Sequence, residues 1–155
     1  MYIRTDSLFA DFMKYKILSH PSEFRIRIYG KTIEELFINA VEAMAEVLSP
    51  EINLHIDFND INKTEIKIES ADCNSLLVDF LNEILAKSQI DKKIYFVSKI
   101  EIKKSEEKAI LSAQLFGSRV EKFSEDIKAA THQDVGIKQI NPPGGEWQTD
   151  LVFDI

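Results

Sequence analysis

Residues 23–48 read EFRIRIYGKTIEELFINAVEAMAEVL, and within this stretch the hydrophobic period changes once. Up to Tyr29 it is two: Phe24, Ile26 and Ile28 take one face and Arg25, Arg27 and Tyr29 the other, the pattern of a half-buried strand that Gly30 stops. From Thr32 the period is helical. Thr32 is placed as N-cap, and Glu35 at the third helical position completes a capping box that satisfies free backbone donors. Ile33, Leu36, Phe37, Ala40, Val41, Met44, Val47 and Leu48 then form one apolar stripe. Ser49-Pro50 ends the helix, because the residue before a proline is pushed out of the helical region.

Working outward, two strands are expected around Asn53–Phe58 and Thr64–Glu69, separated by the polar turn Asn59-Asp60-Ile61-Asn62. A second helix is expected from Asp72 or Asn74 to Lys87. Leu76, Leu77, Phe80, Leu81, Ile84 and Leu85 lie on its apolar face, and Asp79, Glu83 and Lys87, at i to i+4 steps, on its wet face. The remainder reads as strands: Ile94–Lys103, Ala109–Phe116, about Ile127–Ile140, and Glu146 to the end. Asn141-Pro142-Pro143-Gly144-Gly145 supplies the last turn. The order β-α-β-β-α-β-β-β-β with short turns predicts an α+β fold: largely antiparallel sheets with two amphipathic helices packed on them. Residues 1–13 stand apart as an N-terminal arm or a misassigned start, with Met13 as the alternative first residue, and residues 14–155 form a single domain.

At 155 residues the chain is long enough to bury roughly two thirds of its unfolded surface around one core. With 26 acidic against 19 basic side chains its net charge is −7, the wrong sign for gripping a phosphate backbone, so any role with RNA is expected to be indirect. One cysteine, Cys73, leaves no internal disulfide and no cysteine-rich metal site. No apolar run approaches the ~18 residues of a membrane span, and no basic-then-apolar leader opens the chain. These features point to a cytoplasmic protein.

Catalytic signatures are missing. There is no Walker loop, GxGxxG, HExxH or nucleophile elbow. His20, His55 and His132 lie far apart without ligand-like spacing, and Cys73 beside Asp72 reads as a small, semi-buried residue. Oxygen chemistry remains. In Leu151-Val152-Phe153-Asp154-Ile155, strand alternation sets Leu151, Phe153 and Ile155 on one face and Val152 and Asp154 on the other. If Ile155 is held in a sheet, its α-carboxylate is fixed one residue from the Asp154 carboxylate, and two anions that close repel unless a cation sits between them. A third carboxylate from a neighbouring strand would complete a site for Ca2+ or Mg2+; the alternative is a frayed terminus with a solvated Asp154.

Several ordered segments carry a resemblance: His20-Pro21-Ser22-Glu23, Tyr29 to Ala40, Leu76 to Leu85, Lys128-Ala129-Ala130-Thr131, Trp147 and the closing Asp154-Ile155. Together, from about residue 14 to the last, they resemble the archease family. The resemblance implies a non-enzymatic cofactor of the GTP-dependent tRNA-splicing RNA ligase, which promotes the ligase–guanylate intermediate and multiple turnover. It also implies a calcium site built from an acidic residue of the first strand and the last two residues of the chain: here Glu23, Asp154 and Ile155. The family's histidine, small, small, aspartate motif departs here at Pro21 and Glu23. Glutamate keeps the charge on a side chain one methylene longer, which calcium tolerates. By the same resemblance His20 is expected near the metal, and Lys128 to present a cation to the ligase or its nucleotide. A structural His20, a Glu23 that is only the polar start of its strand, and a solvated Lys128 are the competing readings. The helix segments and Trp147 are expected to be core.

Three function classes follow: the accessory protein of the ligase, a stand-alone metal-dependent hydrolase using the same carboxylates to activate water, and a chaperone-like binding module without a working metal site.

Overall fold

A computed structural model describes residues 2–5, 13–20, 23–51 and 63–155. In chain order its elements are strands Tyr2–Thr5 (β1), Met13–His20 (β2) and Glu23–Gly30 (β3), helix Ile33–Leu48 (α1), strand Thr64–Ser70 (β4), helix Cys73–Asp91 (α2), and strands Lys93–Lys104 (β5), Ala109–Arg119 (β6), Ala129–Ala130 (β7), Lys138–Gln139 (β8) and Trp147–Asp154 (β9). They form two antiparallel sheets. The larger has the order β1-β2-β3-β9-β7 with β8 also paired to β9, and the smaller is β4-β6-β5. The expected α+β architecture, two helices on antiparallel sheets, is what forms.

The change of period at Gly30 becomes a sharp corner. The Thr32 side chain accepts from the Glu35 amide at 3.0 Å, while the Glu35 carboxylate accepts from the Lys31 amide at 3.1 Å, one residue before the cap. The corner is tight because Gly30 has no side chain: a Cβ there would lie 2.4 Å from Leu36 N and 2.7 Å from its Cα. Beyond it, Leu36, Phe37, Ala40, Val41 and Met44 are fully buried, each large side chain contributing about 1.5–3 kcal/mol of transfer free energy. Phe37 stacks on Phe80 of α2 at 6.1 Å, joining the helices within the core shared by both sheets. The α2 stripe is buried as expected. The helix runs beyond Lys87 to Asp91, where Lys92 takes the left-handed conformation (φ 52°) and donates its amide to Ser88 O.

Three expectations need comment. The sequence places a single strand, Glu23–Tyr29, before the first helix, yet Met13–His20 pairs with it as β2 and Tyr2–Thr5 pairs with β2 at the sheet edge. The strand expected at Asn53–Phe58 and the turn at 59–62 lie outside the described residues. The strand expected over Ile127–Ile140 is a correction: only β7 and β8 pair with β9. Between them the chain turns, with the Thr131 hydroxyl accepting from the Gln133 amide and Asp134 at φ 61°. Its alternating Val135 and Ile137 pack against the core without a ladder. In place of another strand, the Asn82 amide of α2 donates to Ala130 O at 2.9 Å and accepts from Ala130 N at 2.8 Å. Among the described residues no helix is long and apolar enough to cross a membrane.

Candidate functional site

The β3–β9 register pairs Glu23 with Asp154, Arg25 with Val152 and Arg27 with Asp150. Ile26 and Ile28 face the core with Leu151 and Phe153, so the alternation puts Glu23, Arg25, Arg27, Asp150, Val152 and Asp154 together on the other face. Directly opposed residues have Cβ atoms about 4.5–5.5 Å apart. Two acidic residues, Glu23 and the exposed Asp154, are therefore direct neighbours across the β3–β9 ladder.

The row extends in both directions. His20 is the register partner of Glu23 across β2, and Ala129, next to Lys128, is the partner of Asp154 across β7. The Lys128 amide donates to Asp154 O at 2.8 Å, fixing the chain one residue before its last, and Ile155 packs its side chain against the core. Four of the positions expected to matter, His20, Glu23, Asp154 and Ile155, thus converge at one end of the larger sheet. Lys128 joins them through its backbone, with its side chain exposed. His55 lies outside the described residues. His132 is exposed on the turn after β7, and Trp147 is partly buried against the core.

Like charges directly opposed across two strands destabilise a sheet. Arg25 offsets this: its guanidinium lies 3.4 Å from Glu23 Oε1 and bonds the Asp134 carboxylate. The Asp134 hydrogen bond is the largest influence raising the Arg25 pKa, with the charges of Asp134 and Glu23 adding to it. Next along, Arg27 makes a bidentate bridge to Asp150 at 2.8 and 3.2 Å. The Arg25–Asp134 bond ties the turn after β7 to the face of β3, and Val152, opposite Arg25, is fully buried despite facing outward.

The donor set is all oxygen, which suits a hard cation such as Ca2+. Among the described residues, no group of three or more His, Cys, Asp and Glu side chains is arranged to hold a metal ion. Glu23 and Asp154 supply two carboxylates to this end of the sheet. Burial raises the Cys73 thiol pKa, as befits a small, half-buried residue at the start of α2 and not a nucleophile.

The sequence does not single out Arg25, Asp134 or Asn82 as functional residues. Arg25 and Asp134 are separated by 109 positions, so nothing local links them. Asn82 did leave a trace, as a polar residue bordering the apolar stripe of α2.

Comparison with known proteins places the chain among relatives of similar sequence and fold. Residues 15–155 match the model of the Archease protein family (MTH1598/TM1083). The chain is similar to protein archease of Methanosarcina mazei, with 30% identity over 150 residues, 92% of this chain and 96% of that one. It is also similar to protein archease of Pyrococcus abyssi, at 28% over 149 residues, 92% and 99% of the two chains. In fold it resembles the solution structure of Methanobacterium thermoautotrophicum protein 1598, with a TM-score of 0.74, 23% identity and 91% and 98% of the chains covered. A Thermotoga maritima crystal structure, described as an archease and possible chaperone, superimposes with a TM-score of 0.56 at 18% identity, covering 90% and 96%.

Proposed function

The chain belongs to the archease family, and from that premise we propose that it is a non-enzymatic accessory protein of the GTP-dependent tRNA-splicing RNA ligase in the cytoplasm, with a divalent-cation site at the end of the larger sheet. The observation that supports this reading is the β3–β9 register, which pairs Glu23 with Asp154, the residue before Ile155.

Glu23, Asp154 and the Ile155 carboxylate would hold the cation, calcium by preference, since its shell accepts longer and bidentate carboxylates. When bound, the ion would neutralise three crowded anions and offer open coordination positions to a partner. The protein's own residues set the stage. Arg25 bridges Glu23 and Asp134 and competes with the ion for Glu23, the Lys128 amide anchors Asp154, and the exposed Lys128 side chain gives the ligase or its nucleotide a cation to meet. A net charge of −7 keeps the protein from competing for RNA.

At limiting ligase, adding this protein should raise the amount of RNA joined beyond one turnover and increase the guanylylated ligase. Equal product with and without it removes the reading. Asp154→Ala, an exposed substitution, should keep the fold yet abolish both calcium uptake by calorimetry and the stimulation.

The pairing of Glu23 with Arg25 favours one second reading, a chaperone-like module that binds its partner without metal. It gains if wild-type protein takes up no calcium and Asp154→Ala still binds the ligase.

A further inference from the structure

The smaller sheet carries a charge pattern with no part in the candidate metal centre. Its inner face is apolar, with Ile66 and Ile68 of β4, Leu111 and Ala113 of β6, and Ile100 and Ile102 of β5 packed on the core. On its outer face the register sets three rows across the strands: Glu65–Gln114–Lys99, Lys67–Ser112–Glu101 and Glu69–Ile110–Lys103. All six charged residues are exposed. Between the first two rows, over Ser112 of β6, lies a groove of about 330 Å³ lined by Glu65, Lys67, Lys99 and Glu101. Each row has one sign on β4 and the other on β5, and the signs reverse from row to row.

This checkerboard is self-complementary under one two-fold axis. Laid face to face with a copy of itself about an axis along β6, every β4 position meets the β5 position of the same row in the copy. Glu65 faces Lys99, Lys67 faces Glu101 and Glu69 faces Lys103, in both directions, with no like-charged pair. An axis across the strands instead sets Glu65 on Glu69 and Lys67 on itself. The first arrangement keeps the strands of the two sheets aligned, a normal way for sheets to pack, and is isologous, the usual form of a homodimer. A different partner would need the reverse pattern, and this face already carries it.

We propose that the outer face of the β4-β6-β5 sheet is a self-association surface whose occupant is a second copy of this chain. The contacts are exposed ion pairs, so association is weak and salt-sensitive. Existing bonds on this face, Glu101–Lys103 at 3.2 Å, Glu69–Lys108 at 2.9 Å and Gln114 to Glu65 at 3.3 Å, are surface contacts free to exchange with those of the copy.

Analytical ultracentrifugation of the full chain at low salt and high protein concentration tests this. Wild type should show a monomer–dimer equilibrium that shifts to monomer as salt is raised. Lys67→Glu and Glu101→Lys each create two like-charged contacts and should weaken dimerisation about tenfold or more. Circular dichroism checks that both remain folded. Mixing the two variants should restore association as a heterodimer, since the middle row is then wholly acidic in one chain and wholly basic in the other. Wild type that stays monomeric throughout, or a mixture that associates no better than either variant alone, overturns the proposal.

Discussion

Gly30 shows how much one position can decide: the chain leaves β3 and enters α1 only because no Cβ stands between Gly30 and the Leu36 backbone. Gly30→Ala forces a clash with backbone atoms that no rotamer change relieves. Overpacking of this kind costs about 1–3 kcal/mol, and for a domain of this size each kcal/mol lowers Tm by roughly 2–4 °C. A thermal melt should show that loss, and an unchanged Tm would mean that the corner yields to admit a methyl group. Arg25 acts through charge. Placed against Glu23, it repels any cation that shares that carboxylate, while its bond to Asp134 is peripheral to the proposed ligands. Arg25→Gln should therefore tighten calcium binding about three- to tenfold by calorimetry, the scale of one nearby charge in a largely solvated setting. Weaker binding would make Arg25 a residue that positions Glu23 and not a competitor of the ion.

At the scale of elements, legibility followed locality. Helix α1 was readable to its ends because cap, stripe and Pro50 all lie within or beside it. β7 and β8 were not readable, because what holds the 127–140 stretch is remote: the Asn82 amide, Thr149 Oγ1 accepting from the Gly136 amide, and Asn74 accepting from Ile137. Alternation in such a stretch records partial burial, which a turn satisfies as well as a ladder does. Of the candidate site, the sequence names the carboxylates, by resemblance, but not the Arg25–Asp134 bridge. The C-terminal end of α2 offers a pH test of local electrostatics. The Tyr95 hydroxyl donates to Asp91 at 2.5 Å and Lys87 lies 3.3 Å away; the hydroxyl, then the lysine, lower the Asp91 pKa. A carboxyl depressed on folding adds stability that is present above its unfolded pKa and lost as pH falls through its folded one. Asp91→Asn keeps an acceptor for Tyr95 but no charge. Its Tm should fall below wild type at neutral pH, and the two should converge in acid below the ordinary carboxylate range. A gap that persists there would point to lost packing.

For the whole molecule, the last strand serves the core and, as proposed, the cation site, and the two roles divide along the chain. Leu151, Val152 and Phe153 are fully buried, whereas Asp154 is exposed and bonds the start of β7 through its backbone. Ending the chain after Phe153 removes the proposed donors of Asp154 and Ile155 and little of the interior. That variant should melt cooperatively within several degrees of wild type while taking up no calcium and giving the ligase no stimulation. Ending it after Asp150 removes three large buried side chains, each worth about 2–5 kcal/mol, against a total stability of about 5–15 kcal/mol. It also leaves β3 without part of its partner in the middle of the larger sheet. That variant should be unfolded by circular dichroism. If the shorter truncation unfolds as well, the final dipeptide is structural and the division fails; if it still binds calcium with wild-type affinity, Asp154 and Ile155 are not the donors.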